Sequence, residues 1–167
     1  LTVDEPATPT QPTVTKGDYT DLNGDESGTK VMNFESIWSQ GYHGEGQTVA
    51  MADTGLDSGD LGKLSADFQG GVKTGFFYGI GSTSWNDPMG HGTHVAGSVV
   101  SRGVSSHGML KGGAWGSMIV GQGMWSPILD NLTVPPKLNK LFDAAYGEGA
   151  KIHTNSWGSS RDFGAYD

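Results

Sequence analysis

The sequence predicts an α/β fold in three layers, with a mainly parallel sheet and helices on both faces of that sheet. Short apolar runs bounded by glycine alternate along the chain with stretches of helical periodicity, which is the pattern of strand–helix–strand units. One run ends directly in an acidic residue and a glycine turn, as expected at the carboxyl edge of an open α/β sheet. The candidate strands cover residues 47–52, 72–78, 118–122 and 151–156.

The composition fits a packed globular domain. The 167 residues include 28 glycines and no cysteine, with 35% hydrophobic and 17% charged residues, and this length fits one domain or a large piece of one. A net charge of −8 argues against a nucleic-acid partner. No apolar run reaches the roughly 18–20 residues that span a bilayer, which argues against a membrane protein. The lack of cysteine excludes disulfides and thiolate metal sites.

Residues 1–30 are predicted to form an extended N-terminal arm, and residues 31–167 to form the folded domain. The arm is rich in proline and threonine and has no periodic pattern. Residues 21–28 place oxygen-bearing side chains at alternate positions, as a calcium loop does, but Met32 stands where that loop needs a bidentate glutamate. A solvated acidic turn is therefore favoured over a calcium site.

The first elements of the domain are a short helix and a buried strand. The helix is expected at residues 33–40, with Asn33 as its cap and an apolar face that includes Phe34 and Trp38. The strand, residues 47–52, is a compact apolar run that ends in Asp53-Thr-Gly55. A carboxylate is thereby expected at the C-terminal end of a buried strand.

His91 stands between two glycines, just before an apolar stripe at helical spacing. We expect it in the first turn of a mostly buried helix with its ring facing outward. Such firm placement suits a general base, whose position matters before its pKa does. A capping or core histidine fits this stretch equally well. The stripe consists of Val95, Ala96, Val99 and Val100.

A second long helix is predicted to begin at Pro135-Pro136, because proline is favourable in a first helical turn. Gly147 and Gly149 are expected to end it before the last strand. Its apolar stripe consists of Leu138, Leu141, Phe142, Ala145 and Tyr146.

Three motifs now stand in order along the chain: Asp53-Thr-Gly55, His91-Gly-Thr-His94 and Asn155-Ser-Trp-Gly158. Over about residues 40–160 the sequence resembles the subtilisin-like serine proteases (subtilases, peptidase S8 family), and the segment 153–158 looks most like the large, oxidation-tolerant alkaline subtilases. The resemblance implies a subtilisin-like fold, of which this chain carries the N-terminal half. It also implies a secreted serine endopeptidase acting on protein or peptide substrates.

The resemblance assigns roles to individual residues. Asp53 corresponds to the triad aspartate and His91 to the triad histidine. Ser156, Trp157 and Gly158 correspond to one wall of the substrate pocket, and residues 125–130 resemble the opposing strand that pairs with substrate.

Two family motifs do not occur in the sequence. The nucleophile motif Gly-Thr-Ser-x-Ala is missing, and so is the Ala-Gly-Asn-Glu-Gly-like motif of the oxyanion asparagine. We therefore expect this chain alone to be inactive. The serine and the oxyanion asparagine are expected to come from a separate, non-covalently held C-terminal chain, produced by a break in the polar loop at residues 161–167.

No metal or other cofactor is expected to be required for catalysis. By the resemblance, His94 is a structural, hydrogen-bonded histidine and not a metal ligand. Structural calcium is expected in the family, but the loop 101–108 contains Arg102 and lacks Asp and Asn, which makes a calcium site there doubtful. Two alternatives stay open: a catalytically inactive peptide-binding module, and a metal-dependent hydrolase that uses Asp53, His91 and His94.

Overall fold

The computed structural model describes residues 28–158. The strands and helices of this part alternate as the sequence predicts. They are α1 (Gly28–Val31), α2 (Glu35–Trp38), β1 (Thr48–Asp53), β2 (Val72–Phe77), α3 (His91–Val100), β3 (Met118–Gly123), β4 (Trp125–Ser126), β5 (Asn131–Leu132), α4 (Asn139–Gly147) and β6 (Ile152–Asn155).

Four strands form one parallel sheet in the order β2-β3-β1-β6, and β4 and β5 form a small antiparallel pair. The predicted α/β class with a mainly parallel sheet is confirmed. The register brings the ends of three strands together, because Asp53 lies opposite Gly123 on one side and Ala52 lies opposite Asn155 on the other. The carboxyl edge of the sheet therefore carries both the acid after β1 and the segment after β6.

The core lies on both faces of β1, since successive side chains of a strand point to opposite faces. Met51 packs in a cluster with Ala96 and Val100 of α3, on one face. Ala50 and Ala52 lie in two clusters that contain Ala145 and Leu141 of α4, on the other face. Because both faces of β1 are covered, its run is apolar throughout instead of alternating.

A flat glycine surface on the sheet receives Trp85, from the loop between β2 and α3. A Cβ added at Gly75 would lie 2.1 Å from the Trp85 ring, and one added at Gly123 would lie 3.0 Å from the Trp85 backbone. The Trp85 carbonyl in turn accepts a hydrogen bond from the Leu56 N–H at 3.0 Å. The loop that leads to α3 is thus held close against the sheet and the turn after β1.

The structure corrects three predicted boundaries. Residues 28–30 belong to α1 and are not part of an extended arm. Asn33 does not cap α2, because its φ of 57° is left-handed and its N–H closes the preceding turn onto Lys30. α4 begins at Asn139, after separate turns at Lys137 and Leu138, and not at Pro135-Pro136.

The predicted stripe of α4 is covered only in part. Leu141 and Ala145 are buried, whereas Leu138, Phe142 and Tyr146 are 47%, 45% and 65% exposed. One side of the helix faces the sheet and the other side has no packing partner among the described residues.

Several sequence predictions lie outside residues 28–158. These are most of the arm, the acidic turn except Gly28, and the loop 161–167. None of the helices within residues 28–158 is long and apolar enough to cross a membrane.

Candidate active site

Asp53 is the last residue of β1 and is completely buried. Its Oδ1 accepts two hydrogen bonds of 2.7 Å, one from the N–H of Thr54 and one from Nδ1 of His91. Its Oδ2 is also buried and has no hydrogen-bond partner within residues 28–158. A buried carboxylate is thereby directed at a single ring nitrogen.

His91 is the first residue of α3, as predicted, and its side chain is 52% exposed. The hydrogen bond from Asp53 and the charge of Asp53 raise the pKa of His91, the charge of Asp87 adds to them, and desolvation opposes them. Donation from Nδ1 to the carboxylate requires a proton on Nδ1, so the neutral ring keeps Nε2 free to accept a proton. The arrangement is that of a general base with its orienting acid.

Two close approaches explain the glycines around His91. Gly90 precedes the helix with a φ of 79°, in the left-handed region that favours glycine. A Cβ at Gly92 would lie 2.2 Å from the Gly55 carbonyl oxygen and 3.1 Å from the Asp53 Cβ. The start of α3 therefore rests directly on the turn that follows β1, which brings His91 to Asp53.

The predicted substrate segment leaves the sheet beside Asp53. Ser156 and Gly158 are exposed, and a Cβ on Gly158 would meet no atom within 4 Å. Trp157 is half-buried, packs beside Ala52, and donates its indole N–H to the Ala52 carbonyl at 2.9 Å. Trp157 thus anchors this segment to β1, while its neighbours stay open to solvent.

The other predicted substrate-pairing stretch, residues 125–130, is a strand only at Trp125–Ser126. That strand pairs with Asn131–Leu132. The buried Ser126 hydroxyl donates to the Ile80 carbonyl at 2.7 Å. The rest of the stretch is the turn of this small hairpin.

Comparison with known proteins accounts for this arrangement. A model of the subtilase family, peptidase S8, matches residues 44–167. The chain belongs to the subtilase family. The major intracellular serine protease of Bacillus subtilis (strain 168) is 33% identical over 109 residues, which are 60% of this chain and 31% of that protein. The serine protease/ABC transporter B family protein tagA of Dictyostelium discoideum is 26% identical over 140 residues, which are 81% of this chain and 8% of that protein. The chain thus matches less than a third of the length of either relative.

His94 differs from what the subtilase resemblance implies. It is exposed, and its ring makes no hydrogen bond to any described residue. It lines an open groove of about 970 Å³ along α3, together with Phe68 and Leu110. No group of three metal-binding side chains occurs within residues 28–158, so the combination of Asp53, His91 and His94 is not supported as a metal site.

The loop after α3 does not fit calcium. The guanidinium of Arg102 donates to the carbonyls of Gly70 at 3.1 Å and Ser117 at 3.2 Å, and also to that of Trp115. A side-chain cation therefore already neutralises these carbonyl oxygens, which are the kind of ligand that calcium would use.

Sequence reasoning missed a polar network below the substrate segment. His153 of β6 hydrogen-bonds through Nε2 to Gln122 of β3 at 2.8 Å, and Gln122 donates to the Leu141 carbonyl of α4 at 2.8 Å. Asn155 contacts Nδ1 of His153 at 3.1 Å. Burial lowers the pKa of His153, so the ring is neutral near pH 7. The spacing His153-x-Asn155, on one face of a strand, was the available signal.

Proposed function

We propose that this chain is the N-terminal half of the catalytic domain of a serine endopeptidase. The observation that carries the proposal is the 2.7 Å contact between the buried Asp53 carboxylate and His91 Nδ1, with Nε2 free. Membership of the subtilase family supports the same chemistry.

In this proposal His91 is the general base. Its Nε2 takes the proton of a serine hydroxyl as the oxygen attacks the substrate carbonyl, and then gives that proton to the leaving amine. Asp53 holds the ring in the productive tautomer and stabilises the imidazolium that forms. The substrate lies extended beside Ser156, Trp157 and Gly158 and binds through main-chain hydrogen bonds as an added strand.

The serine and the oxyanion asparagine come from the C-terminal part of the domain, which we propose to be a separate polypeptide. The sequence supports this, because neither motif occurs among the 167 residues. Losing an oxyanion donor alone lowers rates about 10²- to 10³-fold, so the isolated chain is expected to be inactive. Denaturing mass spectrometry of the active protease tests the separation: two masses support it, and one longer mass contradicts it.

Labelling by a fluorophosphonate, which reacts with an activated serine, tests the assigned base. We expect His91→Ala to abolish labelling of the assembled protease, because no other group deprotonates the serine. His94→Ala removes a histidine from the same helix and should leave labelling intact. Retained labelling in the His91 variant would contradict the role of His91.

The same assay separates the alternatives. A catalytically inactive peptide-binding module would bind peptides without labelling in any variant. A metal-dependent hydrolase would lose activity only to chelators.

We further propose that the protease is secreted, which rests on the resemblance to extracellular subtilases. The Bacillus relative is named as intracellular. Immunodetection in the medium and in cell lysates of the source organism distinguishes the two locations.

A further inference from the structure

The carboxylate of Asp87 collects hydrogen bonds from both sides of the junction between β1 and α3. Asp87 lies in the loop before α3, four residues ahead of His91, and is half-buried. Its Oδ1 accepts from the Thr54 hydroxyl at 2.8 Å and from the N–H groups of Met89 and Gly90 at 3.1 and 3.0 Å. Its Oδ2 accepts from both the N–H and the hydroxyl of Thr93 at 2.7 Å.

Thr54 connects this carboxylate to both proposed catalytic residues. Its hydroxyl donates to Asp87 and accepts from the N–H of Gly92, the residue after His91, at 2.9 Å. Its own N–H donates to Oδ1 of Asp53 at 2.7 Å, the same oxygen that His91 contacts. One side chain and its backbone thus link Asp87, the first turn of α3 and the buried acid.

All five groups that face the Asp87 carboxylate are donors. Burial by itself would raise the pKa of Asp87, but the hydrogen bonds from Thr93, Thr54 and Gly90 outweigh it and lower that pKa. The carboxylate is therefore charged at neutral pH. An amide in its place would direct an NH₂ group at other donors, so asparagine cannot replace it without breaking contacts.

We propose that Asp87 is a positioning residue for His91: it fastens the start of α3 to the end of β1 and so holds the imidazole against Asp53. This inference rests on the proposed function of His91 as the base. Asp87 does not touch the reacting atoms. It acts through Thr54, Thr93 and the backbone of the first turn of α3.

The test compares the rate of fluorophosphonate labelling against pH for the assembled wild-type protease and two isosteric variants, Asp87→Asn and Asp57→Asn. Asp57 is the matched control, since its carboxylate also accepts backbone N–H groups, from Ser58 and Ser65, but not from Thr54 or α3. The charged groups that face His91 are Asp53 from β1 and Asp87 from the preceding loop.

We expect Asp87→Asn to lower the labelling rate on the order of 10- to 100-fold, as a misplacement of about 1 Å at a catalytic group does. Its pH midpoint should move to lower pH, because a negative charge that favours the protonated imidazole is lost. Asp57→Asn should stay within about twofold of wild type at an unchanged midpoint. A purely structural role for Asp87 would reduce the amount of active enzyme without moving the midpoint, and that result would overturn the proposal.

Thr54 keeps the proposal testable if Asp87→Asn does not fold. Thr54→Val should lower the labelling rate although Asp87 keeps its charge, and Thr54→Ser should restore the rate. A wild-type rate in Thr54→Val would overturn the proposal. If His91→Ala itself retained labelling, the proposed function would fail, whereas unaltered Asp87 and Thr54 variants beside an inactive His91→Ala would refute only the positioning role.

Discussion

At the scale of single residues, the candidate site depends on how closely two backbones approach. The N-terminal turn of α3 reaches Asp53 only because position 92 has no side chain, as a Cβ there would penetrate the Gly55 carbonyl. Gly97, two turns further along the same helix, has only Phe68 near it, at 4.0 Å from an added Cβ. Two glycines of one helix therefore have opposite expected responses to substitution by alanine.

We predict that Gly92→Ala destabilises the fold by about 1–3 kcal/mol, as overpacking in a tight interior does, and separates His91 from Asp53. Gly97→Ala should instead stabilise it by up to about 0.5–1 kcal/mol, because alanine costs less than glycine in a helix. Urea unfolding measures the stabilities, and fluorophosphonate labelling of the assembled protease measures the site. Equal effects of the two substitutions would contradict the contact with Gly55.

At the scale of elements, buried polar groups connect strands and loops that are distant in sequence. His153, Gln122 and the Leu141 carbonyl join β6, β3 and α4 on one face of the sheet. Arg102 joins the end of α3 to the loops before β2 and β3 through three carbonyl groups. Both side chains lie where loss of the partner would leave buried polar atoms without hydrogen bonds.

The lowered pKa of His153 gives a stability that depends on pH. As the pH falls, the unfolded chain takes up a proton at this histidine before the folded chain does, so folding stability should decrease on acidification from about pH 7 to 5. We predict a smaller decrease for His153→Gln, which cannot titrate. His94→Gln, which removes an exposed imidazole, is the control. Urea unfolding at each pH provides the slopes, and identical slopes for wild type and His153→Gln would disprove the assignment.

Arg102→Lys is expected to lower stability by about 1–3 kcal/mol, because an ammonium cannot reproduce the planar fork that reaches three carbonyl groups. Lys63→Met is the control, since the Lys63 side chain is 78% exposed and pairs only with Asp60. It should change stability by less than about 0.5 kcal/mol. Thermal unfolding measures both, and wild-type stability of Arg102→Lys would show that the guanidinium does not hold these loops together.

At the scale of the whole molecule, the described sheet is covered unevenly. β1 and β3 each pair on both sides, whereas β6 pairs only with β1 among the described strands. The free edge of β6 is also apolar, because Ile152 is 61% exposed and Phe142 and Tyr146 of α4 are exposed nearby. An unpaired apolar edge of this kind is suited to receiving another strand.

Hydrogen exchange should reveal this asymmetry. In the 167-residue chain alone, we predict that amides of β6 exchange faster than those of β1 and β3, because fewer of them are held between two strands. Joining the chain with the C-terminal part of the domain should slow the exchange of β6 most. If β6 is already as protected as β1 in the isolated chain at low concentration, the free edge is contradicted.

Much of the fold was predictable because its signals are local. The apolar runs of β1 and β3 and the glycine-flanked start of α3 are legible in short windows, and their observed bounds differ from the predicted ones by one residue or none. The start of α4 was not predictable from Pro135-Pro136, since a favourable first turn does not ensure that the helix continues from it. The exposure of Phe142 and Tyr146 also escaped prediction, because helical periodicity shows which residues share a face but not whether anything covers that face.

By itself, the sequence determined the fold class and the choice of Asp53 and His91 as the candidate pair, because both depend on residue type and order along the chain. Only the tertiary structure decided that Nδ1 of His91 meets the buried carboxylate, that Trp157 anchors its segment to β1, and that His94 lies open on a groove. It alone also revealed the five contacts of Asp87. The physical reason is that these contacts join residues that lie far apart in the chain, or depend on backbone geometry, and become defined only when the sheet brings its strand ends to one edge.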